Sequence, residues 1–395
     1  MNDGLRTQPN IGECLPATLP LRVLVTAQPF GFGPTAAMAQ VFDYLRPRVH
    51  YLAFAGAEHT CDVHMQLPYD AVHRLPADGC GEAFRRLCAD HDAALVSCDF
   101  PAAEAAKAAG IPFGVYDPLA WYWPQWPNVL ESANLYICQD FFGVQERVRD
   151  AGRENVVIVP PILPTLSQAA VKRNRHALVN LGGLCNPLHS QEVSVSYARL
   201  AMTIAPAAAL LYPEVHVATS QSIVDHLQRE SPAARTISPR EVQHLLSTSE
   251  LAVMTPGLGN IYEAAAFAKR VFWLPPANDS QGQQLNILRK RGLAPFAADW
   301  HDILPARAPI DYDGPETFVM RNIVIADAIR DASEDPAASE RLRALFLQAH
   351  RAPATPNPLT SLLDQFGAGG ARDVAEIFVQ KILVPLARTV GNFVL

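Results

Sequence analysis

Short apolar runs alternate with helix-length segments through most of the chain, and this alternation limits the available folds more than any other feature. Runs at 22–26, 49–54, 93–97, 113–116, 135–138 and 156–159 read as strands, with helical segments at 34–45, 84–90 and 102–109. The pattern breaks at 160–175, where Pro160, Pro161 and Pro164 precede the string KRNR, and then restarts. Strands at 177–181, 214–218, 251–254 and 271–274 follow, with helices at 193–204, 223–229, 240–247, 260–269 and 281–290. Strands joined through helices imply right-handed crossovers and mostly parallel sheets covered on both faces. The expected fold is α/β, with two doubly wound Rossmann-like domains facing a cleft and extra C-terminal helices. A disordered leader is expected at 1–20, the first domain at 21–165, a linker at 166–175, the second domain at 176–305, and a loop with C-terminal helices at 306–395.

The composition supports two sizeable cores: 49% of the 395 residues are apolar and 18% charged. A net charge of −7 argues against non-specific nucleic-acid binding, which needs a basic face. No apolar run is long enough for a membrane span, and the first twenty residues lack the pattern of a signal peptide. The seven cysteines are scattered without a C-x-x-C pair, which points to reduced thiols in a cytoplasm and against a structural zinc site. The last helix carries Val374, Ile377, Phe378, Ile382, Leu383 and Leu386 at helical spacing, so one face should be covered. Packing across the domains and a homodimer contact both stay open.

In open α/β sheets, ligands bind beyond the carboxyl ends of the strands. Gly31-Phe32-Gly33-Pro34 follows the first strand, and Gly182-Gly183 follows the first strand of the second half. Each is a tight turn or a place where backbone approaches a ligand. Thr255-Pro256-Gly257-Leu258-Gly259 ends a strand, and the helix is expected to open at Asn260. Backbone N–H groups at such a start cradle phosphate, because the first donors are unpaired and the dipole favours anions. Glu263 on the first turn would reach sugar hydroxyls, or would close a capping box with Asn260 as N-cap. Asn278, Asp279, Ser280, Gln281, Gln283, Gln284 and Asn286 form an amide-rich segment suited to a sugar. Three of the five tryptophans fall in DPLAWYWPQW, where Trp121, Tyr122 and Trp123 would stack on a planar ring or pack between domains. Asp311-Tyr312-Asp313 and Asp90-His91-Asp92 read as surface.

With these motifs the chain resembles the GT-B glycosyltransferases over about residues 20–305. The segment TPGLGNIYEAAAFAKRVFWLPPANDSQGQQLN is similar to the donor segment of transferases that act on lipid-linked peptidoglycan precursors. The resemblance implies that Gly257 and Gly259 meet a diphosphate and Glu263 binds ribose. It also implies that Gln284, with Gln283 or Asn286, holds the donor sugar. The GFGP loop, the WYWPQW segment and PPxNDSQxxQxN together look like cytosylglucuronate synthases of peptidyl nucleoside antibiotic pathways, which join UDP-glucuronate to a pyrimidine.

The resulting expectation is a metal-independent, cofactor-free glycosyltransferase with a UDP-sugar donor and a small planar acceptor such as cytosine. Gly182, Gly183 and residues 257–260 would hold the diphosphate, and Gly31, Phe32 and Gly33 would face the acceptor. A base is expected among Asp117 first, His59 second, and Asp99. A nucleotide-sugar 2-epimerase, a hydrolase and a non-catalytic sensor are the alternatives.

Overall fold

A computed structural model describes residues 18–76, 80–163, 175–182, 184–227, 234–353 and 357–390. The expected leader and linker lie almost wholly outside the described residues. Two parallel sheets form the frame. The first holds β1 (Leu19–Ala27), β2 (Val49–Gly56), β3 (Ala71–Arg74), β4 (Ala93–Ser97), β5 (Phe113–Asp117), β6 (Leu135–Gln139) and β7 (Val156–Val159), in the order β3-β2-β1-β4-β5-β6-β7. The second holds β8 (His176–Asn180), β9 (Glu214–Ala218), β10 (Ala234–Arg235), β11 (Leu251–Met254) and β12 (Val271–Trp273), in the order β10-β9-β8-β11-β12. Each order reverses beside its first strand, which opens a crevice at the strand ends.

The central strands are nearly continuous apolar runs because helices cover both faces: every residue of β4, β5, β6, β8 and β11 is buried, including the terminal polar residues Ser97, Asp117, Gln139, His176 and Asn180. The edge strands β3 and β10 were not expected from the sequence. Ala71–Arg74 is half-buried and Ala234–Arg235 is two residues long, so neither presents an apolar run.

The C-terminal segment does not form a unit of its own. Helices Phe318–Glu334 and Pro336–Arg351 join the second core, where Ile325, Ile329, Leu342 and Phe346 pack with Tyr197 and Trp300. The first of these was expected to be loop; Thr317 caps it, accepting from Met320 N at 3.3 Å. The chain then returns to the first domain through Gly370–Phe378, a π-helical turn Val379–Leu383 and Val384–Val390. Val374, Phe378, Ile382 and Leu383 join a core with Val23, Leu95 and Tyr116, so the apolar face is covered by its own chain. Phe378 lies over Gly114 of β5, where a Cβ would stand 3.0 Å from the ring. No helix among the described residues is long and apolar enough to cross a membrane.

Truncation of the fully buried Phe378 to alanine should lower stability by about 3–5 kcal/mol. Denaturant unfolding read out by circular dichroism checks this; a loss under about 1 kcal/mol would mean the returning helix is not anchored there.

Candidate functional site

A cleft of about 1030 Å³ lies between the carboxyl ends of the two sheets. On the second-domain wall, β11 ends in a turn at residues 255–257, and Gly257 is the N-cap of helix Leu258–Ala266. The helix therefore begins before Asn260, and no side chain caps it. Asn260 instead stands in the first turn, where its Nδ2 donates to Thr255 O at 2.9 Å and Oγ1 at 3.2 Å. Its Oδ1 accepts from Asn180 Nδ2 at 3.2 Å. This ties the turn to the end of β8 and leaves the N–H groups of residues 258–260 at the cleft, with the positive end of the dipole.

Because the helix starts early, Glu263 lies in its second turn and closes no capping box. Its carboxylate is part of the cleft wall and accepts from Gln243 Nε2 at 3.1 Å. The protein around it desolvates the charged form and pushes its pKa up to about 7. Gly182 also departs from expectation. With φ at +64° its N–H turns inward and donates to Asn180 Oδ1 at 3.0 Å, so it is not an open anion donor. Gly183 lies outside the described residues.

The amide-rich segment divides. Asn278 caps helix Asp279–Lys290, accepting from Gln281 N at 3.0 Å and Ser280 Oγ at 2.9 Å. Asp279 is fully buried and faces away from the cleft; it pairs with Arg321 at 2.5 Å and accepts from Gln283 Nε2 at 3.0 Å. Asn286 donates to Asp313 Oδ2 at 3.0 Å, outside the cleft, where Lys290 also pairs with Asp313. Asp279, Gln283 and Asn286 are thus taken up by the protein itself. Asn278, Ser280, Gln281 and Gln284 line the cleft. Gln284 is almost wholly buried, and its Oε1 has no protein donor. A buried acceptor left unmade costs about 1–3 kcal/mol, a cost that a ligand hydroxyl would relieve.

On the first-domain wall, Gly31, Phe32 and Gly33 do line the cleft. Gly31 takes φ +57° and donates across the domains to Cys185 O at 2.7 Å. His59 also lines the cleft, with Nε2 2.5 Å from Gly31 O and its ring 5.3 Å from that of Phe32.

The two aspartates do not line it. Asp117 is fully buried and accepts from Leu119 N at 2.7 Å, Tyr136 Oη at 2.8 Å and Trp123 Nε1 at 3.0 Å. Burial raises its pKa against those hydrogen bonds. Asp99 caps helix Phe100–Ala109, accepting from Ala102 N at 3.1 Å. The aromatic loop packs rather than lining the cleft: Trp121 lies against Phe141, Trp123 against Phe100, and Tyr122 Oη donates across the domains to Asp279 Oδ2 at 2.8 Å.

The cleft also contains residues that sequence reasoning passed over: Asn180, Ser220, Gln221, Ile237, Ser238 and Gln139. Only Asn180 and Gln139 left a trace, as polar residues closing apolar strands. Among the described lining residues, Arg74 is the single lysine or arginine, and Asp62 and Glu263 are the carboxylates. An anion at residues 257–260 would therefore rely on backbone dipoles.

No protein-family model matches the sequence, and none of the curated proteins does. Solved structures do match. A candidate UDP-N-acetylglucosamine 2-epimerase from Listeria monocytogenes aligns at 12% identity and TM-score 0.50, covering 91% of this chain and 96% of its own. The glycotransferase of kitacinnamycin aligns at 15% identity and TM-score 0.46, over 92% and 99%. UGT89C1 of Arabidopsis thaliana, complexed with UDP, aligns at 13% identity and TM-score 0.48, over 88% and 100%. At such identities the likeness bears on fold alone. The architecture, two parallel α/β domains around one cleft with helices returning from the C-terminus, is that of the GT-B fold.

The Glu263 carboxyl has a definite pH signature. Its folded pKa, about 7, lies above the ordinary 4.5, so the folded state binds the proton more tightly. Its contribution to stability is whole below pH 4.5 and is lost as pH rises to about 7. Unfolding titrations should show Glu263→Gln removing a decline of roughly 1–3 kcal/mol across that window; an unchanged profile would place the carboxylate in water.

Proposed function

We propose that this protein is a glycosyltransferase that moves a sugar from a UDP-sugar to a small planar acceptor such as cytosine. The observation that carries the proposal is the uncapped helix start at residues 257–260, deep in a cleft whose opposite wall holds His59. At about 1030 Å³ the cleft reaches the upper end of the range for single ligands, which suits a donor and an acceptor together.

As the bond between sugar and diphosphate breaks, negative charge grows on the leaving oxygen. N–H groups at residues 258–260, already oriented, stabilise it without reorganising. Glu263 accepts the ribose hydroxyls as a carboxylate, and Gln284 Oε1 accepts a hydroxyl of the sugar. On the first-domain side the base role goes to His59 in preference to Asp117 or Asp99, which are enclosed by the protein. His59 Nε2 donates to the Gly31 carbonyl, so it acts as base only in the Nδ1–H tautomer, in which Nε2 leaves that carbonyl and accepts from an acceptor N–H or O–H. The acceptor rests on Phe30 and Phe32 rather than on the tryptophans. Among the described lining residues a glucuronate donor would find one cationic side chain, Arg74, which is already paired with Asp62.

A 2-epimerase shares this architecture but needs no acceptor, as does a hydrolase. Release of the donor's own nucleoside diphosphate should therefore require an acceptor when UDP-glucuronate, UDP-glucose, UDP-N-acetylglucosamine and TDP- or GDP-sugars are each tried with and without cytosine, with UDP-sugars the productive donors. Epimer formation or UDP release from donor alone would overturn the transferase reading. His59→Ala should lower kcat by about 10²–10⁴ while leaving UDP affinity unchanged. Glu263→Ala should weaken UDP binding far more than it lowers the melting temperature. Calorimetric UDP affinity should also rise with pH up to about 7 and then level off, because binding the anion below that pH requires release of a proton. A flat profile would remove Glu263 from the ribose.

A further inference from the structure

Gln139 closes β6 at the floor of the first-domain half of the cleft and is only 5% exposed. Its Oε1 accepts twice, from Tyr116 Oη at 2.7 Å and from Ile162 N at 3.0 Å. A backbone N–H can only donate, so the amide orientation is settled: the oxygen faces Ile162 and the NH2 faces the other way. The described residues give that NH2 no acceptor. An oriented donor is thus presented to a cleft whose first-domain wall also holds the apolar Phe30, Phe32, Pro118 and Leu119, with Gln28 and His59 as further polar groups.

The position of Gln139 is as informative as its orientation. The next residue, Asp140, accepts at its backbone carbonyl from Tyr262 Oη at 2.8 Å. Tyr262 stands on helix Leu258–Ala266, whose start is the proposed diphosphate site. Gln139 is therefore fixed where the two halves of the cleft meet, beside the donor. The charged groups of this half, Asp62 and Arg74, pair with each other at 2.7 Å and leave no net charge for an ionic acceptor.

We propose that Gln139 is the recognition residue of an acceptor subsite, and that the acceptor is an uncharged, flat molecule presenting a carbonyl oxygen to the Gln139 NH2. This rests on the transferase reading for the word acceptor, but the subsite itself is tested by binding alone.

Gln139→Glu is the discriminating variant. A carboxylate still accepts from Tyr116 and Ile162, so the packing role survives, while donation to a ligand is lost until the new carboxyl is protonated. The probes are cytosine and 2-pyridone, which carry a ring carbonyl, and benzene, which is flat without one. Their affinities are measured by ligand-observed NMR with UDP present and absent, at pH 8 and pH 5. The carbonyl probes should bind the native protein at least tenfold more tightly than benzene does. They should lose at least tenfold at pH 8 in Gln139→Glu and recover part of that loss at pH 5, with the melting temperature and UDP affinity little changed. Equal binding of cytosine and 2-pyridone to both proteins at pH 8, or no binding of either to the native protein, would overturn the proposal. Failure of UDP to bind would instead count against the donor site, since the probe comparison without UDP still reads Gln139.

Discussion

One buried ion pair holds together the parts of the chain that build the cleft. The Asp279 carboxylate, fully enclosed, meets Arg321 through two nitrogens at 2.5 and 3.2 Å and accepts from Tyr122 of the other domain and from Gln283. A buried charge is tolerated only when its remaining hydrogen-bonding capacity is filled. Here that demand joins the helix carrying Gln284, the helix Phe318–Glu334 and the aromatic loop after β5. Arg321 adds bonds to the carbonyls of Gly314 at 3.2 Å and Glu316 at 2.5 Å, so the loop before its helix is held as well. Of the aromatic residues at 121–126, Tyr122 reaches this pair, while Trp121, Trp123 and Trp126 pack on Phe141, Phe100 and Tyr136 of the first domain and hold the loop that carries it.

With that frame fixed, the two cleft walls divide their chemistry cleanly. The second domain offers an open helix start, a carboxyl whose pKa is drawn up to about 7, and an amide oxygen without a donor. Those features suit an anion, vicinal hydroxyls and a further hydroxyl in sequence along one ligand. The first domain offers His59, the side chains of Phe30 and Phe32, and an oriented amide donor. Direct contacts between domains, from Gly31 N to Cys185 O at 2.7 Å and from Tyr262 to Asp140, bring the walls within reach of one another.

How much of this was legible in the sequence follows from what each feature depends on. Strands buried on both faces must be apolar along their length, so the interior of both sheets could be read directly, while β3 and β10 at the edges could not. The helix after β11 was misplaced at its start because Asn260 and Glu263 imitate a capping box, whereas Gly257 already ends the turn. Asp117 looked like a base because it follows a strand next to tryptophans. Its neighbours Tyr136 and Cys98, distant in sequence, make it a structural acceptor instead. Of the amide-rich segment, only the packing of Arg321 and Asp313 decides which side chains remain for a ligand, and neither residue lies near the motif in sequence. Gln139 was hidden as the last residue of an apolar strand, since its role depends on Ile162 beyond the next strand.

The central claim is that a nucleoside diphosphate seats on the open start of helix Leu258–Ala266. A crystal structure of the protein with UDP tests it most directly. The account predicts diphosphate oxygens within hydrogen-bonding distance of the backbone nitrogens of residues 258–260 and both ribose hydroxyls on Glu263. UDP bound elsewhere in the cleft, with that helix start still facing solvent, would contradict it.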